Sequence, residues 1–199
     1  MTRPKLILAS GSAIRAAILT NAGLSFEQRK PAVDEAAVKA ECAGLDPERT
    51  ALRLAEAKAL AVSAEPDGYV IGSDQILEFE GRAFDKAKTL EEAFVRLRAL
   101  QGGGHELINA VAVARAGAIV YRRLDRPRLA MRALTDADIE AYLKAAGPDV
   151  LSSVGCYQVE GLGARLFERI DGDYFAVLGL SLFPLLGFLK QEGVLDYSS

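Results

Sequence analysis

Residues 6–19 read LILASGSAIRAAIL, and how this stretch folds decides the architecture of the rest. Leu6, Ile7 and Leu8 form a short apolar run of the kind a strand buried on both faces requires. Ala9, Ser10, Gly11 and Ser12 are all small, and Ile14, Ala17, Ile18 and Leu19 then recur at helical spacing. The expectation is strand, tight turn, helix, with Ser12 as the N-cap. The first N–H groups of a helix have no internal partner and its peptide dipoles add there, so such a turn suits an anion. Ser10 and Ser12 add hydroxyl donors, and Arg15, one turn in, adds a guanidinium fork that matches phosphate. An ordinary strand-to-helix turn carries the same pattern, so this stretch alone leaves both readings open.

The 199 residues suffice for one large domain or two small lobes. A formal net charge of −3 and a pI of about 5.4 argue against a protein that coats nucleic acid. Cys42 and Cys156 are isolated and lack metal-ligand spacing, and two cysteines do not make a secreted disulfide scaffold. Nothing ahead of the first strand resembles a signal peptide. The most apolar window, AVLGLSLFPLLGFL, is too short for a bilayer and contains Gly179, Pro184 and Gly187. These features predict a soluble, cytoplasmic protein with no nucleic-acid and no membrane partner.

Downstream, residues 25–33 (SFEQRKPAV) read as a second strand that ends at Asp34 and Glu35. A short helix follows. The next is longer, with Asp46 as N-cap, Pro47 in its first turn, and Leu52, Leu54, Ala55, Ala59 and Leu60 inside. Pro66-Asp67-Gly68 reads as its stop. Tyr69, Val70 and Ile71 form a buried strand that breaks at Gly72, and its continuation runs to a turn at Glu80-Gly81. Thr89 and Glu92 form a capping box for a helix carrying Ala93, Phe94, Leu97 and Leu100. After Gly102–Gly104, residues 105–116 and 119–134 pair around Ala116-Gly117-Ala118, with a bulge or an edge at Pro127. Thr135 and Asp136 open another helix, which Gly147-Pro148 closes. Residues 154–166 are studded with glycine and precede a strand–turn–strand around Asp171-Gly172-Asp173. The last helix runs from about Leu182 to Gln191. Helices and hairpins intermix, which makes this an α/β protein with a twisted mixed sheet, flanking helices and a cleft.

Several charged groups fall at predicted strand ends or in loops. Asp34 and Glu35 end one strand, Asp74 and Gln75 another; Lys58 sits among alanines on a helix, and Lys86 in a loop. Singly, each reads as solvated surface. Together they supply what phosphate chemistry needs: donors for an anion, cations for developing charge, and carboxylates for a metal or a water. His105 is the sole histidine and no G-x-S-x-G elbow accompanies it, so it reads as orienting a loop rather than taking a proton. Neither a Walker A sequence nor G-x-G-x-x-G is present.

At this spacing the chain resembles the Maf family, nucleoside triphosphate pyrophosphatases also described as septum-formation inhibitor-like proteins. LASGSAIRAAIL is similar to that family's opening LAS-x-SPRR-x-LL, and Asp34-Glu35 falls at its DE pair. Ala57-Lys58-Ala59 resembles its helical lysine motif, IGSDQ its strand-end aspartate motif, and Lys86 the lysine of its K-P loop. GCYQVEGLG resembles its late glycine-rich loop, and VLGLSLFPLLGFL its C-terminal V-x-GLP-L helix start.

The resemblance implies a Maf/inosine-triphosphatase-like fold over residues 1–199, as a single domain or as two lobes around a long nucleotide-binding cleft. It also implies hydrolysis of a nucleoside triphosphate to monophosphate and pyrophosphate with a divalent cation, Mg²⁺ or Mn²⁺, and a homodimer. By the same resemblance Ser10, Ser12, Arg15, Lys58 and Lys86 hold the triphosphate, and Lys58 and Lys86 assist catalysis. Asp74 is the proton acceptor, Glu35 a metal or water ligand, and Gln75 and Glu160 read the base. Ala13, Ile14, Ala87 and Ser181 depart from the family pattern, and Asn109 stands where threonine is common. Ile14, IGSDQ and EGLG place the chain nearer the 7-methyl-GTP-hydrolysing branch, whereas GGGHEL has the general form. The alternative to a house-cleaning enzyme is a nucleotide-binding regulator of septum formation with little turnover. Retention of Asp74, Lys58 and Lys86 favours the enzyme.

Overall fold

The computed structural model describes residues 4–63 and 68–195. The elements in order are β1 (Lys5–Ala9), α1 (Ala13–Asn21), β2 (Glu27–Gln28), α2 (Glu35–Glu41), α3 (Pro47–Leu60), β3 (Gly68–Phe79) and β4 (Arg82–Phe84). They continue with α4 (Leu90–Leu100), β5 (Gly104–Arg115), β6 (Ala118–Asp125), β7 (Arg128–Met131), α5 (Asp136–Ala146), β8 (Phe167–Asp171), α6 (Tyr174–Val177) and α7 (Leu182–Gln191). The strands follow one hydrogen-bonded path, β2-β1-β3-β5-β7-β8, with β4 on β3 and β6 on β5. The β1 ladders to β2 and β3 are parallel, and the other registers, β3–β4, β5–β6, β5–β7 and β7–β8, are antiparallel. This is an α/β fold with a mixed sheet.

The chain divides into two compact units. One comprises the chain up to Asp74, Asn109–Asp125 and the chain from Phe175; the other comprises Gln75–Ile108 and Arg126–Tyr174. In the first unit, β1 and β3 are buried on both faces, which is why they read as continuous apolar runs. Leu6, Leu8, Tyr69, Ile71, Val111 and Val113 pack with Ile18 and Leu19 of α1 and Leu182, Leu185 and Leu189 of α7. The alternate residues Ile7, Ala9, Val70 and Ala114 pack with Ala59 of α3. In the second unit the core comes from Ala93, Leu97 and Leu100 of α4, Leu129 and Met131 of β7, and Ile139 and Leu143 of α5.

Local signals placed several boundaries. Ser12, Asp46 and Thr135 cap α1, α3 and α5 with their side chains, and α7 spans the predicted residues. Other expectations need correction. Residues 25–33 do not form a long strand: β2 holds only two residues, Pro31 offers no N–H, and Asp34 instead caps α2 by accepting from Ala36 and Ala37. Asp34 and Glu35 therefore begin a helix rather than end a strand.

The strand at Tyr69 does not break at Gly72. It runs on to Phe79, and Gly72 marks a close approach of α3 instead: a Cβ there would lie 2.1 Å from Ala55 O and 2.6 Å from Ala59 N. Asp74 is therefore in mid-strand. Leu60, at the last position of α3, is exposed, not inside. Glu92 reaches the Lys88 N–H instead of closing the box on Thr89. The expected edge or bulge in the second arm of the pair is present: Pro127 falls in the break between β6 and β7, β6 pairs with β5 alone, and β7 shifts register against β8 at Ala130/Met131. After Asp171-Gly172-Asp173 comes the single-turn helix α6, not a strand. The Pro66-Asp67 part of the predicted stop lies outside the described residues.

Candidate active site

The parallel ladder between β1 and β3 ends at Ala9 and Gly72. Ser10–Ser12 and Ser73–Asp74 lie just past its carboxyl end, where open α/β sheets place ligands. The turn after β1 is drawn tight by the Ser12 N–H, which donates to Ser10 Oγ at 3.2 Å, while Ser12 Oγ accepts from Arg15 N at 3.4 Å. Gln28 Nε2 donates to Ser10 O at 2.8 Å and holds the turn from the β2 side. The N-terminus of α1 thus opens beside Ser10 and Ser12, as the sequence predicts.

Alternation along β3 sends neighbouring side chains to opposite faces. Asp74 shares the face of Val70 and Gly72, against α3, and α3 brings Lys58 to it. Lys58 Nζ lies 2.6 Å from Asp74 Oδ1 and 2.9 Å from Glu35 Oε1. Lys58 and Asp74 are buried, contrary to the solvated reading of each alone, whereas Glu35 is exposed. Burial pushes the Asp74 carboxyl above the usual aspartate value, Lys58 and then Arg15 pull it back, and Glu35 adds to the rise. A carboxyl raised in this way takes up a proton more readily than an exposed aspartate, and its cationic neighbours limit the rise.

Ser73 faces the other way, and its hydroxyl donates to Gly179 O at 2.7 Å. Arg15 donates to the same carbonyl through Nε at 2.8 Å, and through Nη1 to Ser73 O at 2.9 Å and Ser10 Oγ at 3.4 Å. Burial lowers the guanidinium from the usual arginine value, opposed by Asp74 and Glu35. Expected as a phosphate ligand, Arg15 also ties the Ser10 turn, β3 and the loop before α7 together. Gly179 has φ +99°, and a Cβ on it would lie 3.2 Å from Arg15 Nε, so glycine is needed there twice over.

Sequence reasoning did not assign site roles to Gln28, Ser73, Gly179 or Asn109. Asn109 is fully buried and bonds Ser73, Asp74 and Ser181. Its signal was a lone amide in the apolar run 107–114.

The remaining predicted residues belong to the second unit. Gln75 follows Asp74 in β3 and is half-buried, and Lys86 is exposed in the loop after β4. Glu160 is exposed in the glycine-studded segment, where its charge is felt by Tyr174 and Tyr142. That segment is compact for a steric reason. A Cβ on Gly155 would meet the Tyr157 ring at 2.2 Å, and one on Gly163 the Gln158 carbonyl at 2.5 Å. His105 Nε2 lies 2.6 Å from Tyr157 Oη, and burial pulls the imidazole down to about 4, so it is neutral at pH 7 and steadies this loop. Arg96 bonds the carbonyls of Asp85 and Val154, joining the Lys86 loop to the start of the same segment.

Among the described residues no cluster of three or more His, Cys, Asp or Glu is arranged for a metal. Glu35, the expected metal or water ligand, is exposed and pairs with Lys58 Nζ, and one such carboxylate fits a hard divalent ion whose other ligands are phosphate oxygens and water.

Residues 5–192 match the family model described as Maf-like protein. A nucleoside triphosphate pyrophosphatase of Nitrobacter hamburgensis is 49% identical over 192 residues, which cover 96% of this chain and 95% of that protein. A 7-methyl-GTP pyrophosphatase of Rhizobium etli is 47% identical, covering 97% and 98%. A nucleoside triphosphate pyrophosphatase of Caulobacter vibrioides is 45% identical, covering 98% and 99%. With the motif residues in place along almost its whole length, the chain belongs to the Maf-like family.

Proposed function

We infer that this protein is a nucleoside triphosphate pyrophosphatase, cleaving the α–β phosphoanhydride bond to release a nucleoside monophosphate and pyrophosphate. The observation that carries the reading is the buried Asp74–Lys58 pair, with Glu35 on the same ammonium, beside the open N-terminus of α1. Binding alone needs no buried carboxylate. Hydrolysis needs a base for the attacking water and fixed donors for the charge that develops on the phosphates.

In this reading Ser10, Ser12 and the first N–H groups of α1 hold phosphate oxygens, with Arg15 and Lys86 adding positive charge. Asp74 takes the proton from the water as its oxygen attacks phosphorus, and the electron pair of the broken P–O bond leaves with pyrophosphate. Lys58 keeps Asp74 ionised in its buried position. Glu35 would hold the divalent ion, Mg²⁺ or Mn²⁺, which when bound would neutralise charge on the phosphate oxygens. Gln75 and Glu160 face the choice of base, and a 7-methylated guanine nucleotide is the substrate the Glu160 carboxylate favours. The reaction belongs in the cytoplasm, in keeping with two buried free cysteines, and a homodimer is the expected oligomer.

The test is product identity. Purified protein with Mg²⁺ and a panel of canonical and methylated triphosphates should yield monophosphate and pyrophosphate, with orthophosphate appearing only after an inorganic pyrophosphatase is added. EDTA should stop turnover. Direct release of orthophosphate with a nucleoside diphosphate would refute the assignment.

A further inference from the structure

Beyond Gly72 the ladder that holds β3 to β1 has ended, and β3 keeps β5 as its neighbour on the other side. Arg15 takes Ser73 O, and from β5 the side chain of Asn109 reaches the next carbonyl, that of Asp74. Its Nδ2 donates to Asp74 O at 3.3 Å and approaches Ser73 Oγ at 3.5 Å. Its Oδ1 accepts from the Ser181 N–H at 3.1 Å and from Ser181 Oγ at 2.8 Å. A backbone N–H can only donate, so the oxygen end of the amide must face Ser181 and the nitrogen end must face β3. The Ser181 hydroxyl has one proton and a second acceptor in the Asp125 carboxylate, which leaves the N–H as the donor committed to Asn109.

Asn109 and Ser181 are both fully buried, so an unmatched polar atom at either position would be costly. A proline at 181 would have no N–H to offer Asn109, so that substitution breaks this contact from its other end.

We propose that Asn109, oriented by the Ser181 N–H, is a positioning residue that holds the Asp74 carbonyl, beside the Ser73 hydroxyl, and thereby aims the Asp74 carboxylate. The proposal rests on Asp74 being the base of the hydrolysis inferred above. Asn109 touches no reacting atom; it acts through the backbone of its neighbour.

The experiment compares wild type, Asn109→Ala, Ser181→Pro and the double variant as full-length protein. Ser181 has φ −64°, the value proline requires, so the second substitution fits the backbone it enters. Kinetics use the triphosphate that the product assay selects. Asn109→Ala and Ser181→Pro should each lower kcat by about 10- to 100-fold, the scale of a misaimed catalytic group, with KM held within about twofold. The double variant should lose no more than the worse single one, because both break the same link. A wild-type kcat in Asn109→Ala, a loss confined to KM, or multiplying losses in the double variant would each overturn the proposal.

A second measurement does not depend on turnover. Backbone amide hydrogen exchange along β3 is compared in wild type and Asn109→Ala. Faster exchange confined to residues 73–76 supports positioning even if the hydrolytic reading fails, and unchanged exchange there counts against it.

Discussion

Lys58 Nζ lies 2.6 Å from Asp74 Oδ1, and the two residues retain only 8% and 7% of their exposure. Neither charge is stable alone at that depth, and removing one partner of a buried pair leaves the other uncompensated. Lys58→Met should therefore destabilise the protein by about 3–5 kcal/mol at neutral pH. Burial already makes Asp74 hold a proton more tightly in the folded than in the unfolded chain, and without the ammonium it would hold it more tightly still. Stability would then fall as pH rises from the unfolded aspartate value through the raised folded one, and the penalty would shrink in acid. Thermal melting across pH checks this. A Tm deficit that does not vary with pH would show that Asp74 is not the group left unpaired.

Asp74→Asn keeps size and most hydrogen bonding but cannot accept a proton at neutral pH. We expect kcat to fall by about 10²-fold or more with little change in nucleotide affinity. In wild type, burial holds the Asp74 carboxyl above the usual aspartate value, so the acid limb of kcat/KM should lie above about pH 3.9. Activity should be present above that limb and lost as pH falls through it. Full activity in the asparagine variant would move the base elsewhere, with Glu35 the next candidate.

What was legible in the sequence was what local chemistry decides. Ser12, Asp46 and Thr135 announce helices because a side-chain oxygen next to unpaired N–H groups acts within a few residues. The residue types of the site were legible as well. Their burial was not, because Lys58 meets Asp74 only after α3 lies across β3 at Gly72, a contact that no window of sequence contains. The same distance effect hid Asn109, whose partners lie 35, 36 and 72 positions away. Residues 25–33 misled because their strand-like pattern meets Pro31 and then a side-chain cap, and both end a ladder before it can extend.

Gly72 marks a close approach of α3 to β3, and the atoms a Cβ would strike are backbone, which cannot rotate away. Gly72→Ala should push α3 outward and carry Lys58 away from Asp74. Overpacking of this kind costs about 1–3 kcal/mol, and activity should fall with it. A melt paired with a rate measurement decides the point. An unchanged Tm with full activity would mean that α3 moves freely at this point.

Glu160 carries the prediction about the base. It is exposed in the glycine-studded segment, on a loop that Tyr157 and His105 steady from beneath. Guanine presents two adjacent N–H donors on its pairing edge, N1–H and the 2-amino group, and an ionised carboxylate can accept from both. A uracil or thymine edge offers one donor between two carbonyl oxygens, which a carboxylate repels. Methylation at N7 makes the purine cationic and strengthens the attraction. Wild type should therefore prefer 7-methyl-GTP or GTP over UTP and dTTP. Glu160→Gln replaces one acceptor oxygen with a donor and removes the charge, so about 1–3 kcal/mol of that preference should be lost, the scale of one charge-assisted bond. Measuring kcat/KM for purine and pyrimidine substrates on both proteins gives the ratio directly. If the ratio holds constant, Glu160 belongs to the loop surface and the choice of base lies with other residues, Gln75 first among them.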